Sequence, residues 1–169
     1  LPQNDVEKVN SFDKISDRFN ILPETIVENA INQGCKSIAW TYNEPTIHLP
    51  FNKKTSLLAK RKNLKIVYVS NGYMSDQSLS EILNFVDAFN IDLKSMSQNF
   101  YKKICKADLN IVLDNLKRIY DADKHLEITN LLINGYNDST EEITKLANFI
   151  ADNLGCDIPL HFSRAFPYY

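Results

Sequence analysis

Residues 65–93 read KIVYVSNGYMSDQSLSEILNFVDAFNIDL, and three successive patterns lie inside that stretch. Lys65 to Ser70 is rich in β-branched and aromatic residues, as a strand requires. The Asn71-Gly72 pair turns the chain, and a helix follows with Leu79, Ile82 and Leu83 on its inward face. Ala88 to Leu93 reads as another strand. Strand, helix and strand in so short a span make a βαβ unit, the building block of a parallel sheet.

The alternation extends to both sides. Upstream, Pro23 opens a helix whose Ile26, Val27, Ala30 and Ile31 share a face, and Gly34 ends it. A strand follows over Ser37 to Tyr42, then a helix from about Pro50 to Lys62 carrying Leu57 and Leu58. Downstream, a short helix follows Ser97. A longer one follows Asp108, with Leu109, Val112, Leu113, Leu116 and Ile119 at helical spacing. Leu126 to Ile133 is a fourth strand. Ser139 and Glu142 form a capping box ahead of Ile143, Leu146, Ala147 and Ile150, and Pro159 to Phe166 gives the fifth strand. Five strands with intervening helices predict an α/β domain, a partial barrel or an open doubly wound sheet, because a closed eight-stranded barrel takes about 250 residues. Residues 1–20 are polar and aperiodic, which predicts an irregular segment ahead of one domain over residues 21–169. The chain does not begin with methionine and is expected to start in the middle of a gene.

Composition narrows the chemistry. The formal net charge is -2 and neither half carries a run of like charge, which disfavours nucleic acid and anionic lipid as partners. No apolar run approaches the roughly 18 residues of a membrane helix, and the chain opens at Leu1 without a charged leader or a signal-type apolar region, so a cytoplasmic protein is expected. Cys35, Cys105 and Cys156 are widely and unequally spaced, and they predict reduced, buried thiols rather than disulfides or a zinc site.

Parallel strands buried on both faces read as continuous apolar runs, so polar residues near their carboxyl ends need a reason. Every strand here has them: Thr41, Asn43 and Glu44; Ser70 and Asn71; Asn90, Asp92 and Lys94; Glu127, Thr129 and Asn130; His161 and Ser163. Each alone reads as a cap, a turn residue or a satisfied core group. Asn90, Asp92 and Lys94 alternate at period two and share one face, where burial without partners is costly. A polar ligand or an inner polar network is implied, with a solvated edge strand as the alternative. No Ser-His-Asp triad, glycine-rich phosphate loop or His-rich metal spacing is present.

The runs Ser37-Ile-Ala-Trp-Thr-Tyr-Asn-Glu-Pro-Thr46, Tyr68-Val-Ser-Asn-Gly-Tyr73, Asn90-Ile-Asp-Leu-Lys94, Leu131-Leu-Ile-Asn-Gly-Tyr-Asn-Asp138 and Leu160-His-Phe-Ser-Arg164 resemble radical S-adenosylmethionine (SAM) proteins of the pyruvate formate-lyase-activating-enzyme type. The likeness is to the branch named for the AmmeMemoRadiSam system, in which Tyr-Asn-Glu-Pro replaces the more usual Gly-Gly-Glu-Pro. It implies a partial (β/α)6 TIM-like barrel that holds a [4Fe-4S] cluster and SAM. Five βα strands would be present here and the amino-terminal cluster strand missing. The implied chemistry is reductive cleavage of SAM to a 5′-deoxyadenosyl radical that abstracts hydrogen.

The resemblance also implies roles. Asn43 and Glu44 would meet the methionyl amino group, and Lys94 the methionyl carboxylate. Ser70, Asn71 and Asp92 would surround the ribose and sulfonium. His161 and Phe162 would flank the adenine, with Thr129 in the same cofactor-binding set. Implied partners are a glycyl-radical enzyme or another protein or small-molecule substrate, and an electron donor such as flavodoxin or ferredoxin. The family's Cys-x3-Cys-x2-Cys motif is absent and is expected just upstream of Leu1; the family's Gly-Pro after the fourth strand reads Asn134-Gly135. Two other readings stay open: a cluster-free binding or scaffold domain of the same fold, and a retaining β-glycosidase-like Asn-Glu-Pro site. The latter needs a second carboxylate about 5 to 5.5 Å away, and no Glu-Asn-Gly nucleophile is present.

Overall fold

Ordering of the strands separates the two α/β architectures. The computed structural model describes residues 21–166, in which five strands form one sheet in the order β1-β2-β3-β4-β5. They are β1 (Ser37–Trp40), β2 (Lys65–Ser70), β3 (Ala88–Asp92), β4 (His125–Leu132) and β5 (Leu160–Arg164). Every neighbouring pair is parallel. A doubly wound sheet reverses its order at a switch point, whereas a barrel adds each strand beside the last. The chain therefore builds a partial TIM-like barrel.

The helices are α1 (Pro23–Asn32), α2 (Leu49–Lys60), α3 (Asp76–Leu83), α4 (Gln98–Phe100), α5 (Leu109–Asp121) and α6 (Thr140–Asn153). A short 3-10 turn, Pro45–His48, precedes α2, and α4 runs into a π-helical turn, Tyr101–Cys105. Side-chain caps start four of them: Ser75 accepts from Ser78 N at 3.2 Å, Ser97 from Phe100 N at 3.3 Å, Asp108 from Asn110 N at 2.9 Å, and Ser139 from Glu142 N at 3.2 Å. The last is only half of the expected capping box. The Glu142 carboxylate turns away to accept from Ser95 Oγ and Met96 N in the β3–α4 loop.

One phase of the strands is buried together with the helix faces: Ile66 and Tyr68, Phe89 and Ile91, Leu126 and Ile128 pack with Leu79, Val112, Leu116 and Leu146. The other phase, with Asn90, Asp92, Glu127 and Thr129, is half-buried and forms the inner surface of the barrel. Asn130 belongs to the helix-covered phase, unlike the rest of its strand-end group, and its Nδ2 donates to Leu93 O at 2.6 Å. The thiols are free, but the expectation that all are buried is corrected: Cys35 and Cys156 are exposed, lying in connections that enter strands, and Cys105 is half-buried.

Gly72 closes the turn after β2 with φ of 72°. A Cβ there would approach Ile91 Cγ2 to 2.8 Å and Val112 Cγ1 to 3.2 Å. Gly72→Ala is expected to destabilise the fold by about 1 to 3 kcal/mol, since left-handed strain and overpacking act together. Urea denaturation checks it, and an unchanged midpoint would contradict the packing described.

Candidate functional site

β1 stops at Trp40, two residues earlier than the pattern suggests, because Tyr42 and Asn43 both adopt positive φ, 51° and 40°. That turn delivers Glu44 across the top of β2. Glu44 Oε1 accepts from Thr46 N at 3.2 Å, Thr46 Oγ1 at 2.6 Å and Ser70 Oγ at 2.9 Å, while Oε2 accepts from Asn71 N at 2.9 Å. A carboxylate offers about four acceptor positions. Glu44 divides its bonds equally between its own loop and the end of β2, leaving capacity on Oε2 for one ligand donor. That makes it a fixed anion rather than a proton shuttle, which fits a glycosidase acid/base role poorly. Ser70 is similarly committed, donating to Glu44 and accepting from Gly72 N at 3.1 Å. Asn71 Oδ1 accepts from Tyr73 N at 2.8 Å, which leaves its Nδ2 hydrogens for a ligand.

Asp92 ends β3 on the inner surface, and Lys94 Nζ lies 2.9 Å from its Oδ2. Both side chains are partly exposed, so the pair contributes little to stability. It presents one anion and one cation side by side. Lys94 is positioned through its backbone: its N–H donates to Tyr101 Oη at 3.1 Å, and its carbonyl accepts from Asn137 Nδ2 at 2.6 Å. Burial raises the Tyr101 phenol well above its ordinary value, which keeps it protonated. Thr41, Tyr42, Asn43, Glu44, Val69, Ser70, Asn71, Asp92 and Lys94 line one cleft of about 370 Å³ at the carboxyl ends of β1, β2 and β3. Six of the nine residues implied by the family resemblance meet there. Tyr101, Asn137 and Glu142, which hold the β3 loop, were not legible as site residues; their partners lie 7, 43 and 46 residues away.

Thr129, His161 and Phe162 lie farther along, on β4 and β5, outside that lining. Thr129 Oγ1 donates to Asn90 Oδ1 at 2.8 Å. Glu127 receives His125 Nε2 at 3.0 Å and His161 Nε2 at 2.9 Å, one on each oxygen. The His125 ring first, then His161, holds the Glu127 carboxyl below its usual range against the opposing effect of partial burial. Its neighbours on an ionised carboxylate must be donors, so both rings carry hydrogen on Nε2. His161 is in register with Thr129 on the inner face; Phe162 pairs with Asn130, in the opposite phase, and is 45% exposed.

The donor set fits a zwitterionic cofactor such as SAM. A fixed anion, a free amide and an Asp–Lys pair suit an ammonium, hydroxyls and a carboxylate respectively. The same residues do not fit an iron-sulfur cluster, which needs several thiolates in one place. Among the described residues no group of three His, Cys, Asp or Glu side chains could hold a metal. Burial also raises the Cys105 thiol, opposite to what a cluster ligand needs.

Comparison with known proteins identifies the fold and the lineage. An uncharacterized protein of Methanocaldococcus jannaschii is 41% identical over 149 residues, covering 88% of this chain and 44% of that protein. The 4-hydroxyphenylacetate decarboxylase activating enzyme of Clostridioides difficile is 23% identical over 118 residues, covering 69% of this chain and 37% of the enzyme. The chain thus spans less than half the length of these curated relatives. A solved domain of pyruvate-formate lyase-activating enzyme from Bacteroides vulgatus superposes with TM-score 0.62 at 22% identity, over 75% of this chain and 76% of that one. Streptococcus suis SuiB bound to S-adenosylmethionine superposes with TM-score 0.64 at 14% identity, over 85% of this chain and 34% of SuiB. These two likenesses concern the fold alone. The model of the radical SAM superfamily matches residues 11–150, and the chain belongs to that superfamily.

Proposed function

We propose that this chain is the SAM-binding portion of a cytoplasmic radical SAM enzyme of the activating-enzyme kind, with its cluster ligands supplied elsewhere in the gene product. The observation that carries the reading is the single cleft in which Asn43, Glu44, Asn71, Asp92 and Lys94 converge at the ends of three adjacent strands. Glu44 Oε2 and the Asn43 amide oxygen would accept from the methionyl ammonium, and Lys94 would pair with the methionyl carboxylate. Asp92 would accept from ribose hydroxyls and Asn71 would donate there. His161 would offer its Nδ1 acceptor toward the adenine with Thr129 beside it on the inner face, while Phe162, in the opposite phase, would lie outside the site. Bound at a [4Fe-4S] cluster, SAM supplies a 5′-deoxyadenosyl radical for hydrogen abstraction. A glycyl-radical enzyme is the substrate proposed, with flavodoxin or ferredoxin as electron donor.

The absence of a thiolate set among the described residues favours a second reading, a cluster-free SAM-binding or scaffold domain. Production of the longest polypeptide the gene encodes, reconstituted anaerobically with iron and sulfide, separates the two. The expected result is cluster absorbance and 5′-deoxyadenosine from SAM under a strong reductant. SAM binding with no cluster would support the scaffold reading, and an intact cluster that never cleaves SAM would contradict the enzyme reading.

A further inference from the structure

The turn between β1 and Glu44 places a tyrosine where glycine is the natural occupant. Tyr42 and Asn43 stand consecutively in the left-handed region. Asparagine tolerates that region, but a tyrosine brings its Cβ against the carbonyl and is strained there. Neighbours hold the turn in place: Glu44 is clamped on β2 and its own loop, and Trp40 Nε1 donates to Ser56 Oγ at 2.8 Å on the strand side. No packing among the described residues compensates through the ring itself, because Tyr42 is 94% exposed. Yet the residue lines the cleft beside Asn43, Glu44 and Asp92. A large aromatic kept at a strained position, with its ring in solvent at the mouth of a polar cleft, has its use in what fills that cleft.

The chemistry of the surroundings narrows the occupant. Lys94 pairs with Asp92, which leaves the Glu44 carboxylate as the charge in the cleft without a cationic partner and favours a positive ligand group there, and an aromatic face is a further site for a cation. SAM carries two cations, an ammonium and a sulfonium. The ammonium is matched by Glu44 and Asn43 in the reading above, on which this inference rests. We propose that Tyr42 is a specificity-determining residue whose ring packs on the sulfonium-bearing part of SAM, favouring SAM over the thioether analogue with an uncharged sulfur, S-adenosylhomocysteine.

Calorimetric titration of this chain with SAM and with S-adenosylhomocysteine tests the inference, using Tyr42→Phe, Tyr42→Leu and Tyr42→Gly beside the wild type. Tyr42→Phe should keep the ratio of the two affinities. Tyr42→Leu and Tyr42→Gly should lower that ratio by about two- to fivefold, the range of an exposed cation–π contact. The Tm of Tyr42→Gly should stay level or rise, since glycine takes positive φ without strain. An unmoved ratio in both non-aromatic variants would overturn the role of Tyr42 while leaving the cofactor assignment standing. Equal losses for both ligands together with a lower Tm would also overturn it, by making the ring structural. Failure of the wild type to bind SAM would overturn the cofactor assignment and this inference with it.

Discussion

Glu44→Ala is expected to weaken SAM binding by at least about 100-fold and to destabilise the chain by about 2 to 4 kcal/mol. Four donors converge on this carboxylate: two from Thr46, one from Ser70 and one from Asn71. Charge-assisted bonds of this kind contribute roughly 1.5 to 3 kcal/mol each when buried, and less here because water reaches part of the loop. Without the anchor, the strained Tyr42–Asn43 turn loses what holds it, so the loss of binding exceeds the loss of one ligand contact. Glu44→Gln should recover only part of the effect, because its amide nitrogen would present hydrogens to either Asn71 N–H or the Thr46 and Ser70 donors. Calorimetry with SAM and urea denaturation check both halves. Wild-type affinity in Glu44→Ala would remove this residue from the site.

A comparable loss of stability with a different functional signature is expected at Asn115, on α5. Its Nδ2 donates to Gly72 O at 3.0 Å and to Met74 O at 2.9 Å, and the residue is 2% exposed. One amide thus ties α5 to the turn that carries Asn71 into the cleft. Asn115→Leu preserves volume but leaves two carbonyls without a donor, at about 1 to 3 kcal/mol for each. The expected destabilisation is about 2 to 5 kcal/mol, with SAM affinity reduced by less than about tenfold in the fraction that folds. Destabilisation below about 1 kcal/mol would mean that water replaces the amide and that the turn is not held this way.

Local pattern was enough to read each strand and α-helix of the described fold, but not the 3-10 turn Pro45–His48 or the π-helical turn Tyr101–Cys105. The strand at Ala88–Asp92 was visible because Phe89 and Ile91 alternate with Asn90 and Asp92, and the same alternation indicated that Asp92 and Lys94 share a face. The order of strands was not visible, because pairing such as Ile128 with Leu160 depends on which edges meet in space. The site was legible where its residues lie in the strand-end motifs, and illegible where loops are held from afar. Glu142 looked like a capping-box residue from its spacing to Ser139, yet its carboxylate serves a loop 46 residues away. Asn137 and Asn115 carry no local sign of their roles, since each supplies an amide to a distant backbone carbonyl. Tyr42 gave no local sign of positive φ, because its residue type argues against it.

The measurement that addresses the central claim most directly is an amide-resolved NMR titration of the nitrogen-15-labelled chain with SAM. Saturable shifts are expected at the backbone amides of Asn43, Asn71, Gly72 and Lys94 and at the Asn71 side-chain amide, around the cleft formed by β1, β2 and β3. The amides of Val27, Leu58 and Arg61, which line a separate cleft on the helical side, should not move. Shifts confined to that helical cleft, or no saturable shift at the strand ends, would contradict the assignment of this site to SAM.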